Sequence, residues 1–121
     1  MIGQEMSSLG QQLNVINTAD VYDDGFLRIE HKSYYIACGG ELLKLARGEF
    51  LVVSLLAQNT ERYVSTEAIW HYVWQGKKPF NKESLTVIVC GLRRIFEPFG
   101  IRIETMFTFG YKLMPVRQNK I

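Results

Sequence analysis

A chain of 121 residues with 47% apolar content can build one domain around a modest core, which excludes disorder throughout. Its net charge of +2 hides an asymmetry: residues 1–75 carry five Lys/Arg against nine Asp/Glu, and residues 76–121 carry nine against three. That split makes the C-terminal part a candidate for meeting a polyanion, and the longest apolar-rich stretch, residues 42–57, is broken by Lys44, Arg47 and Glu49, so no membrane span or membrane partner is expected.

Residues 1–20 are rich in Gln, Ser and Asn and lack an apolar period. They are expected to form a flexible N-terminal tail or a short appended helix. The start has neither the basic nor the apolar segment of a secretory signal, so a cytoplasmic location is the default.

From Phe26 the pattern turns β-like. "FLRIEH" alternates, "SYYIAC" is aromatic and β-branched, and "ELLKL" follows Gly39-Gly40. A Gly-Gly pair between two such runs signals a two-residue hairpin turn, because both positions can take positive φ without a Cβ clash. Residues 26–45 therefore predict a small antiparallel meander. The period then becomes helical: Phe50, Val53 and Leu56, with Val52 and Ala57, mark a first helix closed by Asn59. Ser65 is a good N-cap for a second helix, on which Ile69, Trp70, Val73 and Trp74 form one apolar face. "QGKKPFNK" is a loop by composition.

A third helix is expected over about 83–96, ended by Pro98 and Gly100. At 100° per residue, Leu85, Val89, Leu92 and Phe96 form its buried stripe, with Glu83, Val87, Cys90, Gly91 and Arg94 opposite. Two β-runs, "IRIET" and "FGYKLM", follow as a hairpin over about 101–114. An N-terminal antiparallel sheet, three helices and a C-terminal β-hairpin make an α+β winged helix-turn-helix over residues 21–115, with 116–121 as a short tail.

Cys38 and Cys90 lie far apart and outside any metal-binding spacing, so free thiols are expected, with a redox role open only if Cys90 is exposed. His31 and His71 have no partner at catalytic or metal spacing, and no nucleophile motif or phosphate loop is present. Neither an enzyme, a metal, a cofactor nor a small-molecule substrate is expected.

From about Phe26 to Leu113 the chain resembles the OmpR/PhoB-type winged-helix DNA-binding domain of bacterial response regulators and ToxR-like activators. The first-helix pattern is matched by Leu45 to Val53, and the second by Ser65, Ile69, Val73 and Trp74. The recognition-helix pattern is matched by Leu85, Val87, Val89, Leu92 and Arg93, and that of the wing by Thr105, Gly110, Tyr111 and Leu113. The resemblance implies binding of double-stranded DNA, with the third helix in the major groove and the wing at the adjacent minor groove. It also implies a homodimer or another transcription regulator as a further partner. Most members carry a receiver domain or an anchor as well; this length leaves room for neither and suggests a stand-alone effector domain or a fragment.

The chain departs from the family where bases would be read. Ile88, Cys90 and Gly91 stand where polar or basic residues are usual, Phe107-Thr108 replaces a frequent Arg-Gly at the wing, and Ala46 replaces a capping Thr. The candidate DNA-binding residues are Lys77, Lys78 and Lys82 before the helix and Thr86, Val87, Arg93 and Arg94 on it. Thr105, Phe107, Thr108 and Lys112 are the candidates on the wing. Phosphate contacts look better provided than base contacts. Several alternatives stay open. Arg93 can pair with Glu97 instead of phosphate, and the lysine loop can be merely solvated. Gly91 can admit a DNA or a protein backbone. Phe107 can wedge between bases, meet a protein or fold onto the core. A winged helix that has lost its reading face and controls another regulator is the alternative function.

Overall fold

The structure, a computed structural model, describes residues 16, 17 and 20–115. It falls into two compact units, one ending at Leu43 and the other beginning at Lys44. The expected tails at 1–20 and 116–121 lie outside the described residues, except that Ile16–Asn17 and Asp20 are described and Ile16–Asn17 forms a strand.

The first unit is an antiparallel sheet of β1 (Ile16–Asn17), β2 (Val21–Asp23), β3 (Leu27–Glu30), β4 (Tyr35–Cys38) and β5 (Glu41–Leu42), in that spatial order. Strand alternation puts Tyr22, Leu27, Ile29 and Ile36 on the buried side. Arg28 sits on the other side, bonded to Asp23 at 2.7 Å and Glu30 at 2.9 Å. The expected hairpin turn is present: Gly39 and Gly40 have φ of +57° and +85° between the paired residues Cys38 and Glu41. The sheet starts earlier than the alternation from Phe26 suggests. Asp24 makes the added turn, its carboxylate accepting from the backbone N–H of Phe26 and of Leu27.

The second unit holds α1 (Arg47–Gln58), β6 (Val64–Ser65), α2 (Thr66–Trp74), α3 (Lys82–Phe96), β7 (Arg102–Met106) and β8 (Gly110–Met114). β8 lies between β6 and β7. α1 packs on α2, α3 and β8, and Leu51 and Ser54 are buried beside the expected Phe50, Val52, Val53, Leu56 and Ala57. Its N-cap is Ala46, without a side-chain cap; Glu49 reaches back to accept from the Ala46 N–H at 2.9 Å. Ser65 caps α2 through the Ala68 N–H. α3 closes through a 3₁₀ turn at Glu97–Phe99 and Gly100, whose φ is +77°.

Candidate nucleic-acid interface

Asn81 starts α3 by accepting from the Ser84 N–H at 2.9 Å. Leu85, Val89, Leu92 and Phe96 are buried, as the period requires, so the opposite side is the one offered outward. Glu83, Thr86, Val87, Cys90 and Arg94 are all exposed there, Val87 at 70%. The Thr86 hydroxyl donates to the Lys82 carbonyl at 3.0 Å and keeps acceptor capacity. This face can offer a hydroxyl, a methyl pair for a thymine, one carboxylate and one guanidinium, a thin set for reading base edges.

Gly91 is explained inside the chain. A Cβ there would lie 3.2 Å from Glu49 Oε2, and Ile88 Cδ1 would lie 3.7 Å from a Cβ on Gly48. The small residue at 91 leaves room for the Glu49 carboxylate from the first turn of α1. What faces Gly91 is thus the Glu49 side chain of α1, and no backbone approach is seen there among the described residues.

Arg93 does not bond to Glu97. Its Nε and Nη2 donate to the Ile103 carbonyl at 3.0 and 2.7 Å, and Nη2 also reaches the Thr105 hydroxyl at 2.6 Å. Its guanidinium carbon stands 5.9 Å from the centre of the Tyr111 ring. Ile103 belongs to β7, an edge strand whose carbonyls on one side lack a strand partner. Arg93, a candidate for phosphate, and Thr105, a candidate DNA-binding residue of the wing, are therefore engaged in tying α3 to the wing. Arg94 stays exposed, in a hollow shared with Arg102 and Glu97, and Arg102 bonds Glu104 at 2.8 Å. Lys112 is half-buried, with its ammonium 4.4 Å from the Tyr63 ring and 3.8 Å from Glu104.

The wing turns at Phe107, Thr108 and Phe109. Phe107 is 85% exposed and does not fold onto the core; Thr108 takes a left-handed φ of +63°, and its hydroxyl donates to the Phe107 carbonyl. Gly110 starts β8 where a Cβ would overlap the Val64 carbonyl and stand 2.9 Å from Ser65 Cα, so only glycine lets β8 lie on β6. Lys82, Phe80, Thr105 and the wing-tip residues line one cleft.

The basic loop is pinned by the two tryptophans of α2. Trp70 Nε1 donates to the Lys78 carbonyl at 3.0 Å, Phe80 packs edge-on to Trp70, and the Lys78 ammonium stands 4.3 Å over the Trp74 ring. Lys77, Lys78, Arg47 and Trp74 line a hollow of about 340 Å³, and Trp74 Nε1 is buried with no hydrogen-bond partner among the described residues. A buried N–H costs about 1–3 kcal/mol when unsatisfied. The three cations that line the hollow suit an oxyanion by charge.

The family described as "Transcriptional regulatory protein, C terminal" matches residues 40–113. The chain belongs to this family. It is 28% identical to response regulator ArlR of Staphylococcus haemolyticus over 94 residues, 76% of this chain and 43% of the relative, so it spans less than half the length of that protein. Among solved structures it is similar to the DNA-binding domain of CpxR from E. coli, with a TM-score of 0.65 and 20% identity, covering 82% of this chain and all (100%) of that one. It is also similar to the RstA DNA-binding domain of Klebsiella pneumoniae solved in complex with the RstA box, with a TM-score of 0.64, 23% identity and coverage of 75% and 93%. The architecture is thus the winged helix of response-regulator effector domains.

Within this family member the cations fall into separate groups. Lys82 shares a cleft with the wing tip, Lys77 and Lys78 join Arg47, and Arg93 and Arg94 join Arg102. Sequence reasoning missed Arg47 and Trp74. Helical period assigns the Trp74 ring to an apolar face, and only the Gln-Gly-Lys-Lys that follows it hints that a lysine ammonium stands over that ring.

Proposed function

We propose that the chain binds double-stranded DNA and serves as a transcription regulator, gaining most of its affinity from the phosphate backbone and little from base edges. The observation that carries this reading is the hollow lined by Arg47, Lys77 and Lys78 beside the Trp74 ring, which gathers three positive charges ahead of α3. One backbone phosphate there would meet two or three nearby positive charges. α3 then lies along the duplex with Thr86, Val87 and Arg94 toward the bases and Lys82 toward a second phosphate. Arg93 sets the angle of the wing. The similar RstA domain, solved with the RstA box, favours the same partner, and the chain acts by binding, without catalysis, in the cytoplasm. A thin reading face leaves selectivity to DNA shape and to a second copy of the chain or another regulator on an adjacent half-site.

Replacing Lys77 and Lys78 together by Ala tests this directly, since it removes two of the three positive charges that line the hollow. Fluorescence anisotropy with labelled duplex is expected to show several-fold weaker binding while the thermal midpoint is unchanged or raised. Unaltered affinity would remove the phosphate from this hollow.

A further inference from the structure

The wing tip holds side chains that a soluble fold ordinarily covers. Phe107 is 85% exposed, and its neighbours Met106 and Phe109 are 44% and 43% exposed. None of the three turn residues, Phe107, Thr108 and Phe109, carries a cation or an amide. Hydrogen-bonded readout of a minor groove by arginine or asparagine is therefore unavailable to this tip.

What the tip offers instead is an aromatic ring on a braced mount. On one side β8 is held to β6, and the Thr66 N–H donates to the Phe109 carbonyl at 3.0 Å. On the other side Arg93 holds β7 to α3 through Ile103 and Thr105. At the apex Thr108 keeps a left-handed backbone that β-branched residues rarely adopt. The ring therefore moves with the recognition helix. Lys82 lines the cleft at its base, so a cation stands beside the aromatic tip; Glu67, the acid in that cleft, sits in the first turn of α2 and accepts from Thr66. A projecting aromatic ring beside a lysine, fixed to the helix that meets the duplex, complements a nucleic acid groove better than an uncharged protein surface.

We propose that Phe107 is a wedge: on the duplex bound by α3, its ring enters between two adjacent base pairs from the minor groove, unstacks them and bends the DNA. This rests on the DNA-binding reading and adds a source of selectivity to it. Steps that open easily, TpA and CpA, are favoured over stiff A-tracts, so the chain selects sites by deformability where α3 selects few by hydrogen bonding.

The test uses the full chain and duplexes of about 20 base pairs with a single TpA step, 2-aminopurine beside that step and a dye pair at the ends. Saturating protein is expected to raise 2-aminopurine fluorescence several-fold and draw the ends together, with weaker binding to a duplex carrying an A-tract instead. Phe107→Ala is expected to bind roughly ten-fold more weakly and to produce neither change, as loss of a base–aromatic stack implies. Its thermal midpoint is expected to match the parent because the ring is exposed, and Phe107→Trp is expected to restore the unstacking. Binding without unstacking overturns the wedge and leaves DNA binding intact. Equal bending by Phe107→Ala also overturns it and turns the tip into a surface for a protein. Absence of binding at low salt overturns the wedge and the DNA-binding reading together.

Discussion

At the scale of single residues, the two cysteines show how burial separates chemically identical groups. Cys38 is buried in β4, and desolvation, aided by the nearby carboxylates of Asp24 and Glu41, pushes its thiol up to about 11. Cys90 is exposed on the outward side of α3. Only a thiolate reacts with an alkylating reagent at an appreciable rate. Native protein treated with iodoacetamide at pH 8 is expected to take one label rapidly, at Cys90, and a second only after denaturation. Mass spectrometry of the labelled peptides checks this, and equal labelling of both cysteines would contradict the buried placement of Cys38. Modification at Cys90 also adds bulk to the face proposed to meet DNA, so the labelled protein is expected to lose duplex affinity.

At the scale of elements, the wing is a three-stranded unit whose position depends on two contacts. Arg93 satisfies an edge-strand carbonyl and a hydroxyl with one guanidinium, and hydrogen bonds from a charged donor contribute about 1.5–3 kcal/mol each at best. Arg93 is half-exposed, so Arg93→Ala is expected to destabilise the chain by only about 1–2 kcal/mol in urea unfolding, less than that upper range. Arg93→Lys is expected to recover part of this, because a lysine lacks the fork that bonds both groups. A residue that served only phosphate would leave stability unchanged when removed. The second contact is tighter: Gly110→Ala places a methyl on the Val64 carbonyl, so a loss above about 3 kcal/mol or displacement of β8 is expected. Hydrogen exchange at the β6–β8 pairing would register either outcome.

The same elements show what a linear chain discloses. The stripe of Leu85, Val89, Leu92 and Phe96 is legible because burial on a helix follows a fixed angle per residue, and the structure buries all four. The Gly39-Gly40 turn is legible because positive φ at two adjacent positions selects glycine. β2 is less so, since Asp23 and Asp24 beside a three-residue strand resemble a loop until Asp24 is seen holding the next turn. The role of Arg93 could not be read at all. It depends on Ile103, ten positions away in sequence, passing over the last turns of α3. Trp74 is the sharpest case, because periodicity places a ring but says nothing about where its single N–H ends.

At the scale of the whole molecule, charge and fold point the same way. The family membership and winged-helix architecture put seven of the nine Lys/Arg of the C-terminal part, Lys77 to Lys112, on α3, the wing and the loop before α3. The poverty of α3 in base-reading groups then shifts the burden of binding to phosphates and DNA shape. Binding governed by phosphates must release counterions and fall with salt along a measurable slope. The most direct measurement is equilibrium binding of the full chain to labelled duplexes from its own upstream region, with unrelated competitor DNA, across a salt series. We expect binding that survives competitor, weakens steeply with salt, and loses about one unit of salt slope for each of Lys77, Lys78 and Lys82 replaced by Ala. No binding at the lowest salt, or a slope that the three substitutions leave unchanged, would contradict it.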